Sequence, residues 1–520
     1  MPETSVVIKD FNGFIYDRPT TTLPNNTLNL LVNCVIYQGQ IEPTQGYSVI
    51  LDQPAAPSYF LIDQIINDNQ LWFYGTDDKI YESNGITSSD VTRLVGGDYS
   101  TLVDIGWDGG VYNNVAYLTN GVDAPQYKLA SDTNFSNLTN FPVNTVCKHI
   151  RSFGSRIVAF GLIESGASSP TSLLISDVCD PNSIPPSWDS TDPTNLADRI
   201  ELADTPGFIV EAVMLGGSLY VYKTDSVWRV SFIGGSDIDR VERVLGVNGA
   251  ISSHCVQEFE GQHFVFGVGD CFVHNGVTSK GILSETNSTL IYDVIDQDHI
   301  NRCFSIKDSS RCEISVFAPT SGTAGDCVQR LVWNWKTGNM GVSSSPNLRY
   351  GYETAVNPAV VPMWSDATWG AGQWDQDVGD WNQGSYNPST KSVILVSTTN
   401  QLNYIVGTSL LDDGSNTPWY FFKYDLDLGD EWQYKMISKL ILHAQRNDLS
   451  QSTVNVNIGT RNNLNSTITW IGAQPYIIGQ TQKLDLRAIG RYVSISISGT
   501  KQDSPRISGF TLYGRPTGGR

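Results

Sequence analysis

The residues best able to do chemistry are few and scattered. Six histidines, at positions 149, 254, 263, 274, 299 and 443, stand in no His-Glu-x-x-His or comparable ligand spacing, so a histidine-held metal is not expected. His254, His263 and His274 fall at nearly regular intervals, but strand parity and distance favour packing within one repeated unit over a shared site. No Gly-x-Ser-x-Gly elbow, phosphate-cradling glycine loop or Cys/His constellation is present, which removes the usual anchors of hydrolase and nucleotide chemistry. Asp425-Leu-Asp427-Leu-Gly-Asp430-Glu431 sets alternate carboxylates on one strand face, with oxygens that would suit calcium. It lacks the roughly twelve-residue loop and closing bidentate glutamate of an EF-hand, and a solvated strand-to-turn surface is the expectation. Paired acids of the glycosidase kind stay open, because carboxyls about 5 to 10 Å apart in space can lie any distance apart in sequence.

One chemical feature is concentrated. Trp364, Trp369, Trp374 and Trp381 fall within 18 residues, in a Gly/Asp-rich stretch without helix or strand periodicity. Such a cluster either packs on itself or offers aromatic faces to a sugar or a partner protein, and self-packing is the expectation. These four are the candidate binding residues; no catalytic, metal-ligating or cofactor-binding residue stands out, and no cofactor and no enzymatic activity are expected.

The elements that would carry these residues are almost all strands. Short Val/Ile/Phe/Tyr/Trp runs bounded by Gly, Asn, Asp and Pro recur along the chain, and long helical periodicity is absent. Asn84-Gly85, Asn120-Gly121 and Asn275-Gly276 sit between such runs as hairpin tips, of the type in which both central residues take positive φ. Aromatic-rich strands starting at Leu71, Asn114, Arg156, Ser218, His263 and Glu313 follow one another in steps of 43, 42, 62, 45 and 50 residues. Four-stranded propeller blades repeat at roughly 40 to 50 residues, so the pattern predicts an all-β fold with a β-propeller body; an array of β-sandwiches with similar strand lengths is the alternative.

The organisation that follows is a segment at 1–50 for attachment, propeller blades over 51–340, the Trp/Gly-rich insertion with remaining propeller strands over 341–418, and a β-sandwich-like domain over 419–520. Alternation in Thr453-Val-Asn-Val-Asn-Ile458 and Tyr492-Val-Ser-Ile-Ser-Ile497 marks sheets buried on one face, and 514–520 reads as a flexible basic tail.

Composition narrows the function further. With 53 acidic against 33 basic residues the formal charge is −20, a field that repels phosphate and disfavours ordinary nucleic-acid binding. No signal-like start and no membrane-length apolar run are present, so a product made in a cytoplasm without a membrane anchor is expected. Eight scattered cysteines without a Cys-x-x-Cys pair read as reduced, buried thiols.

Residues 245–282 combine a glycine-led start, a Ser before a hydrophobic strand, an aromatic strand, a Gly/Asp turn and an aromatic-x-x-Asn-Gly turn. This order resembles a blade of the tail hub, tail nozzle or packaged-DNA stabilisation proteins of short-tailed phages. Leu174-Ile-Ser-Asp177 with Pro185-Pro-Ser-Trp188, Leu331-Val-Trp-Asn-Trp-Lys-Thr-Gly338, and the run from Leu426 to Arg520 are similar to further stretches of that family, so the likeness spans roughly residues 50 to 520. The resemblance implies a structural virion protein of the tail, assembled as a homo-oligomeric ring of six copies below portal and adaptor proteins. Such a ring would retain the packaged genome, let DNA pass through its lumen without sequence-specific binding, and mount tail fibres. A carbohydrate- or receptor-binding propeller is the principal rival, with the tryptophans as stacking platforms, and a propeller glycosidase the lesser one. Some propeller glycosidases carry a repeated Ser-x-Asp-x-Gly-x-x-Trp turn, and Ser365-Asp366-Ala-Thr-Trp369 lacks its spacing and glycine.

Overall fold

The fold is seen in a computed structural model, which describes residues 4–51, 53–66, 69–100, 106–235, 238–246, 248–283, 286–356, 391–398, 403–407, 409–429, 431–446 and 452–518. Trp364, Trp369, Trp374 and Trp381 lie outside the described residues.

The chain is all-β, and its body is a propeller. Five consecutive four-stranded antiparallel meanders form blades 1 to 5, with innermost strands Phe60–Ile66, Asp108–Tyr112, Thr145–Phe153, Ile209–Leu215 and Val256–Phe259. Blade 6 runs from Phe304–Asp308 through Glu313–Pro319 and Cys327–Asn334 into the first half of the long strand Met340–Ala355. The second half of that strand opens blade 7, pairing with Lys391–Ser397, which pairs in turn with Asn403–Val406. The outermost strand of blade 7 is Tyr47–Ile50, from near the other end of the chain. Each innermost strand touches the next, and the last touches the first, so seven blades close a ring. All six aromatic-rich strands picked out by spacing are second strands of successive blades, where both faces are covered by neighbours: Val115–Thr119 is buried at every position.

The turns depart from expectation in one respect. Gly85, Gly121 and Gly276 have positive φ, but the asparagines before them do not. Instead each Asn side chain folds over the turn: Asn275 Oδ1 accepts from the N–H of Val277 (3.0 Å) and Thr278 (2.9 Å), and Asn84 and Asn120 do the same. The asparagine therefore acts as a hydrogen-bond acceptor in an Asx-turn rather than as a left-handed residue.

The remaining strands form a sandwich of two sheets. One contains Cys34–Tyr37, Gln40–Pro43, Pro505–Gly518, Tyr434–Arg446 and Leu484–Gly490, with Thr4–Lys9 added along Pro505–Gly518. The other contains Leu30–Val32, Pro418–Leu426, Tyr492–Thr500 and Thr453–Arg461. Strict alternation in Leu484–Gly490, buried at every second residue, puts one face on the core and the other in water.

Two expectations are corrected here. Residues 4–43 are not a separate attachment segment: their strands complete both sheets of the C-terminal sandwich, and 47–50 closes the propeller. Residues 514–518 are not a free tail, because Gly514 pairs with Thr4 and Ile437, and Gly518 pairs with Tyr434. Propeller and sandwich share one apolar core, running from Phe264, Phe266 and Phe272 of blade 5 to Phe421, Ile495 and Phe510 of the sandwich. All eight cysteines are free thiols, and all but Cys312 are buried.

Candidate functional site

The innermost strands gather a charged cluster at the propeller axis. Arg151, from blade 3, lies between two carboxylates. Its Nη1 donates to both oxygens of Asp108 in blade 2 (2.8 and 2.9 Å), and its Nε and Nη2 fork onto Glu211 in blade 4 (2.8 and 2.9 Å). His149 Nδ1 lies 2.5 Å from Asp108, and His254 Nε2 lies 3.3 Å from the same carboxylate. Glu211 also accepts from the backbone N–H groups of Ala212 (2.9 Å) and His254 (2.7 Å). Asp108 can start its strand beside the partner strand because Gly109 follows it: a Cβ there would sit 2.0 Å from the Tyr117 carbonyl oxygen.

Burial works against charge on both acids, but the Arg151 guanidinium outweighs it, helped by the histidines. Asp108 is held well below the usual carboxylate range and Glu211 below it. Burial likewise opposes charge on Arg151, and the two carboxylates reverse the effect, raising its pKa well above the ordinary arginine value. Ion pairing with Arg151 thus favours the anionic form of both acids.

An aromatic wall stands beside the cluster. His254 packs edge-on against Tyr350 (4.9 Å between ring centres) and at a tilt against Phe60 (5.7 Å). A cavity of about 280 Å³ opens next to His254 and Tyr350, rimmed by Gln257, Lys307 and Glu353. Much of that rim is already engaged: Gln257 donates to the Ser305 carbonyl (2.7 Å), and Glu353 accepts from the N–H and hydroxyl of Ser309.

The histidines sort into separate environments. His254 leaves its near-regular series and faces the axis, while His263 and His274 are buried together between blades 4 and 5. Their partners determine their tautomers. His263 Nε2 faces the Met214 carbonyl (3.1 Å) and must donate, so its Nδ1 accepts from the Tyr222 hydroxyl (2.5 Å). His274 Nδ1 accepts from the Gly276 N–H (3.2 Å), so its Nε2 donates to the Tyr222 oxygen (2.6 Å). A directed chain of neutral groups results, and burial lowers both histidines to about 4. His299 pairs with Asp296 at 3.0 Å, and His443 meets the Thr511 hydroxyl at 2.8 Å.

In the acidic run at 425–431, the Asp425 carboxylate is engaged by the chain itself. Asp425 sits at a break in strand register with φ of 55°, which turns its side chain inward onto Arg461 (2.7 Å to Nε) and the Thr20 hydroxyl (2.5 Å). Its alternation with Asp427 is lost at that bulge. Among the described residues no group of three or more His, Cys, Asp or Glu could hold a metal ion.

Sequence reasoning missed Asp108, Arg151 and Glu211. Their one local signal is the Asp-Gly-Gly at 108–110, where two glycines behind an acid mark a close backbone approach.

No protein-family model matches the chain, and no curated protein matches it. Likeness to solved structures is broad and slight. A glycoside hydrolase shares 10% identity over 89% of this chain and all of its own, at a TM-score of 0.26. The apo AztD protein of Citrobacter koseri shares 11% over 59% of this chain and 86% of its own, at 0.31. The extracellular domain of a one-component system from B. thetaiotaomicron shares 8% over 90% of this chain and 62% of its own, at 0.39. At such values these likenesses carry no argument about what the chain does.

Proposed function

We propose that this chain is a non-catalytic assembly protein, the hub or nozzle of a short phage tail, working as a ring of copies in the virion. The observation that carries the non-catalytic part is the axial cluster: Asp108 and Glu211 are both committed to Arg151 and held as anions, so neither is a proton donor at neutral pH. The tail assignment rests on the sequence resemblance over residues 50 to 520. The propeller axis is occupied by Arg151, Phe60 and Tyr350, so a DNA passage would run between copies, along surfaces of an acidic chain that does not grip phosphate. Adaptor, portal and fibre proteins are the partners this role requires. Imaging of virions that contain the protein tests it: a ring density at the tail end is expected, and its absence overturns the proposal.

A second reading is a glycan-binding propeller, favoured by the cavity beside His254 and Tyr350, where an aromatic wall meets polar groups. Glycan-array binding lost in Tyr350→Ala, with assembly intact, would support it. Turnover of host polysaccharide abolished by Glu211→Gln would instead establish a hydrolase.

A further inference from the structure

Asn-Gly pairs cap three hairpin turns within the blades, and the three turns differ in what surrounds the reacting atoms of the pair. In each, the Asn side chain folds back over the turn, which brings its carboxamide carbon toward the backbone nitrogen of the following glycine. That nitrogen is the nucleophile of a self-cyclisation open to any Asn-Gly pair. Its proton is the obstacle, because a peptide N–H is a very weak acid.

Asn275-Gly276 joins the third and fourth strands of blade 5, Cys271–His274 and Ser279–Gly281. The Gly276 N–H donates to His274 Nδ1 (3.2 Å), so an imidazole lone pair faces the proton that must leave. Asn275 Oδ1 accepts from the N–H groups of Val277 (3.0 Å) and Thr278 (2.9 Å), with the Thr278 hydroxyl at 3.3 Å. Charge developing on that oxygen therefore meets donors already in place. Gly276, with φ of 86°, is pressed against blade 4, where a Cβ would sit 2.1 Å from the Tyr220 hydroxyl, so the turn is held in position. Behind His274 every donation runs the same way. His274 Nε2 donates to the Tyr222 oxygen, the Tyr222 hydroxyl to His263 Nδ1, and His263 Nε2 to the Met214 carbonyl. A proton taken from Gly276 can be handed along this chain, while Asn275 itself is exposed to water.

The other two turns lack this combination. Asn84-Gly85 repeats the turn in blade 1, down to the contacts of its Oδ1 with Ile86 and Thr87. Its glycine N–H meets the Ser83 hydroxyl (2.9 Å), an alcohol that does not take up a proton at neutral pH. Asn120 is 1% exposed, and its Nδ2 is held by Asp123 (3.0 Å).

We propose that Asn275-Gly276 is a self-modification site, converting Asn275 to aspartate and isoaspartate with His274 as the base. The Gly276 nitrogen gives its proton to His274 and attacks Asn275 Cγ. The new N–C bond forms, the Cγ–Nδ2 bond breaks, and ammonia leaves with the proton returned by His274. One solvent water then opens the cyclic imide and leaves a carboxylate at the turn. This inference is independent of the tail and glycan readings.

Peptide mapping by mass spectrometry of the folded full chain, aged at pH 7.5, tests it. Asn275 should convert at least about tenfold faster than Asn84. In urea the two should convert at comparable rates, because the advantage belongs to the fold. His274→Gln, which can still accept the Gly276 N–H but cannot take its proton, should bring Asn275 down to the Asn84 rate. The proposal is overturned by equal rates at the two sites in the folded wild type, by a difference that persists in urea, or by a folded His274→Gln variant that converts as fast as wild type.

Discussion

Two regions of the propeller bury polar side chains by opposite means. At the axis, Asp108, Arg151 and Glu211 are all charged, and each charge depends on its neighbour. Between blades 4 and 5, His263, Tyr222 and His274 are all neutral, and each hydrogen bond runs in one direction. The first arrangement is held by Coulomb attraction in a poorly solvated space, so removing one member leaves the others costly. The second is held by matched donors and acceptors and is disturbed by adding a proton. One inward-facing polar group thus becomes an ion pair and another a neutral relay according to what faces it across the blade boundary.

The largest effect is expected from breaking the charged set at its centre. Arg151→Met strands two buried carboxylates and should cost about 3 to 5 kcal/mol, read from denaturant unfolding; a cost under about 1 kcal/mol would show that solvent reaches the axis.

Acid should separate the two regions next. The histidines bind protons more weakly when folded (about 4) than when unfolded (about 6.5), so their contribution is complete above pH 6.5 and is lost as pH falls toward 4. The first proton costs roughly 3 kcal/mol at the low end of that window. Asp108 and Glu211 have lowered values and stay ionised through most of it, so the loss should shrink to the smaller share of His443, also lowered by burial, in a His263→Gln/His274→Gln double variant. An unchanged pH profile in that variant would place the acid sensitivity elsewhere.

A smaller effect is expected at the centre of the relay. Tyr222→Phe removes the hydroxyl serving both rings and should cost about 1 to 3 kcal/mol, measured by thermal unfolding at pH 7.5. Smallest should be Asn275→Ala, which frees the N–H groups of Val277 and Thr278 at an exposed turn, for about 0.5 to 1.5 kcal/mol.

How much of this was legible can be traced residue by residue. The six second strands were readable because they carry dense, largely buried aromatic and β-branched runs. The seventh, Lys391–Ser397, was not, since its blade is assembled from distant pieces of chain. Asn-Gly correctly marked three turns, while the conformation of the asparagine depended on hydrogen bonds that composition does not specify. Asp425 was readable as an acid in a strand, but only the bulge that turns it toward Arg461 shows it to be an ion-pair partner rather than a cation ligand.

The sequence by itself determined that this protein is all-β, built of repeated meanders with an alternating sandwich after them, because strand patterning, turn residues and apolar spacing are local properties. Tertiary structure alone decided where the ring closes, which residues reach the axis and which ends meet. Tyr47–Ile50 completes a blade by pairing with Asn403–Val406, more than 350 residues away, and Thr4 pairs with Gly514 across 510 positions. Asp108, Arg151 and Glu211 become one site only when three innermost strands are set side by side. A local pattern cannot specify such pairings, because the energy that selects them comes from burial and charge compensation between segments that meet only when the ring closes.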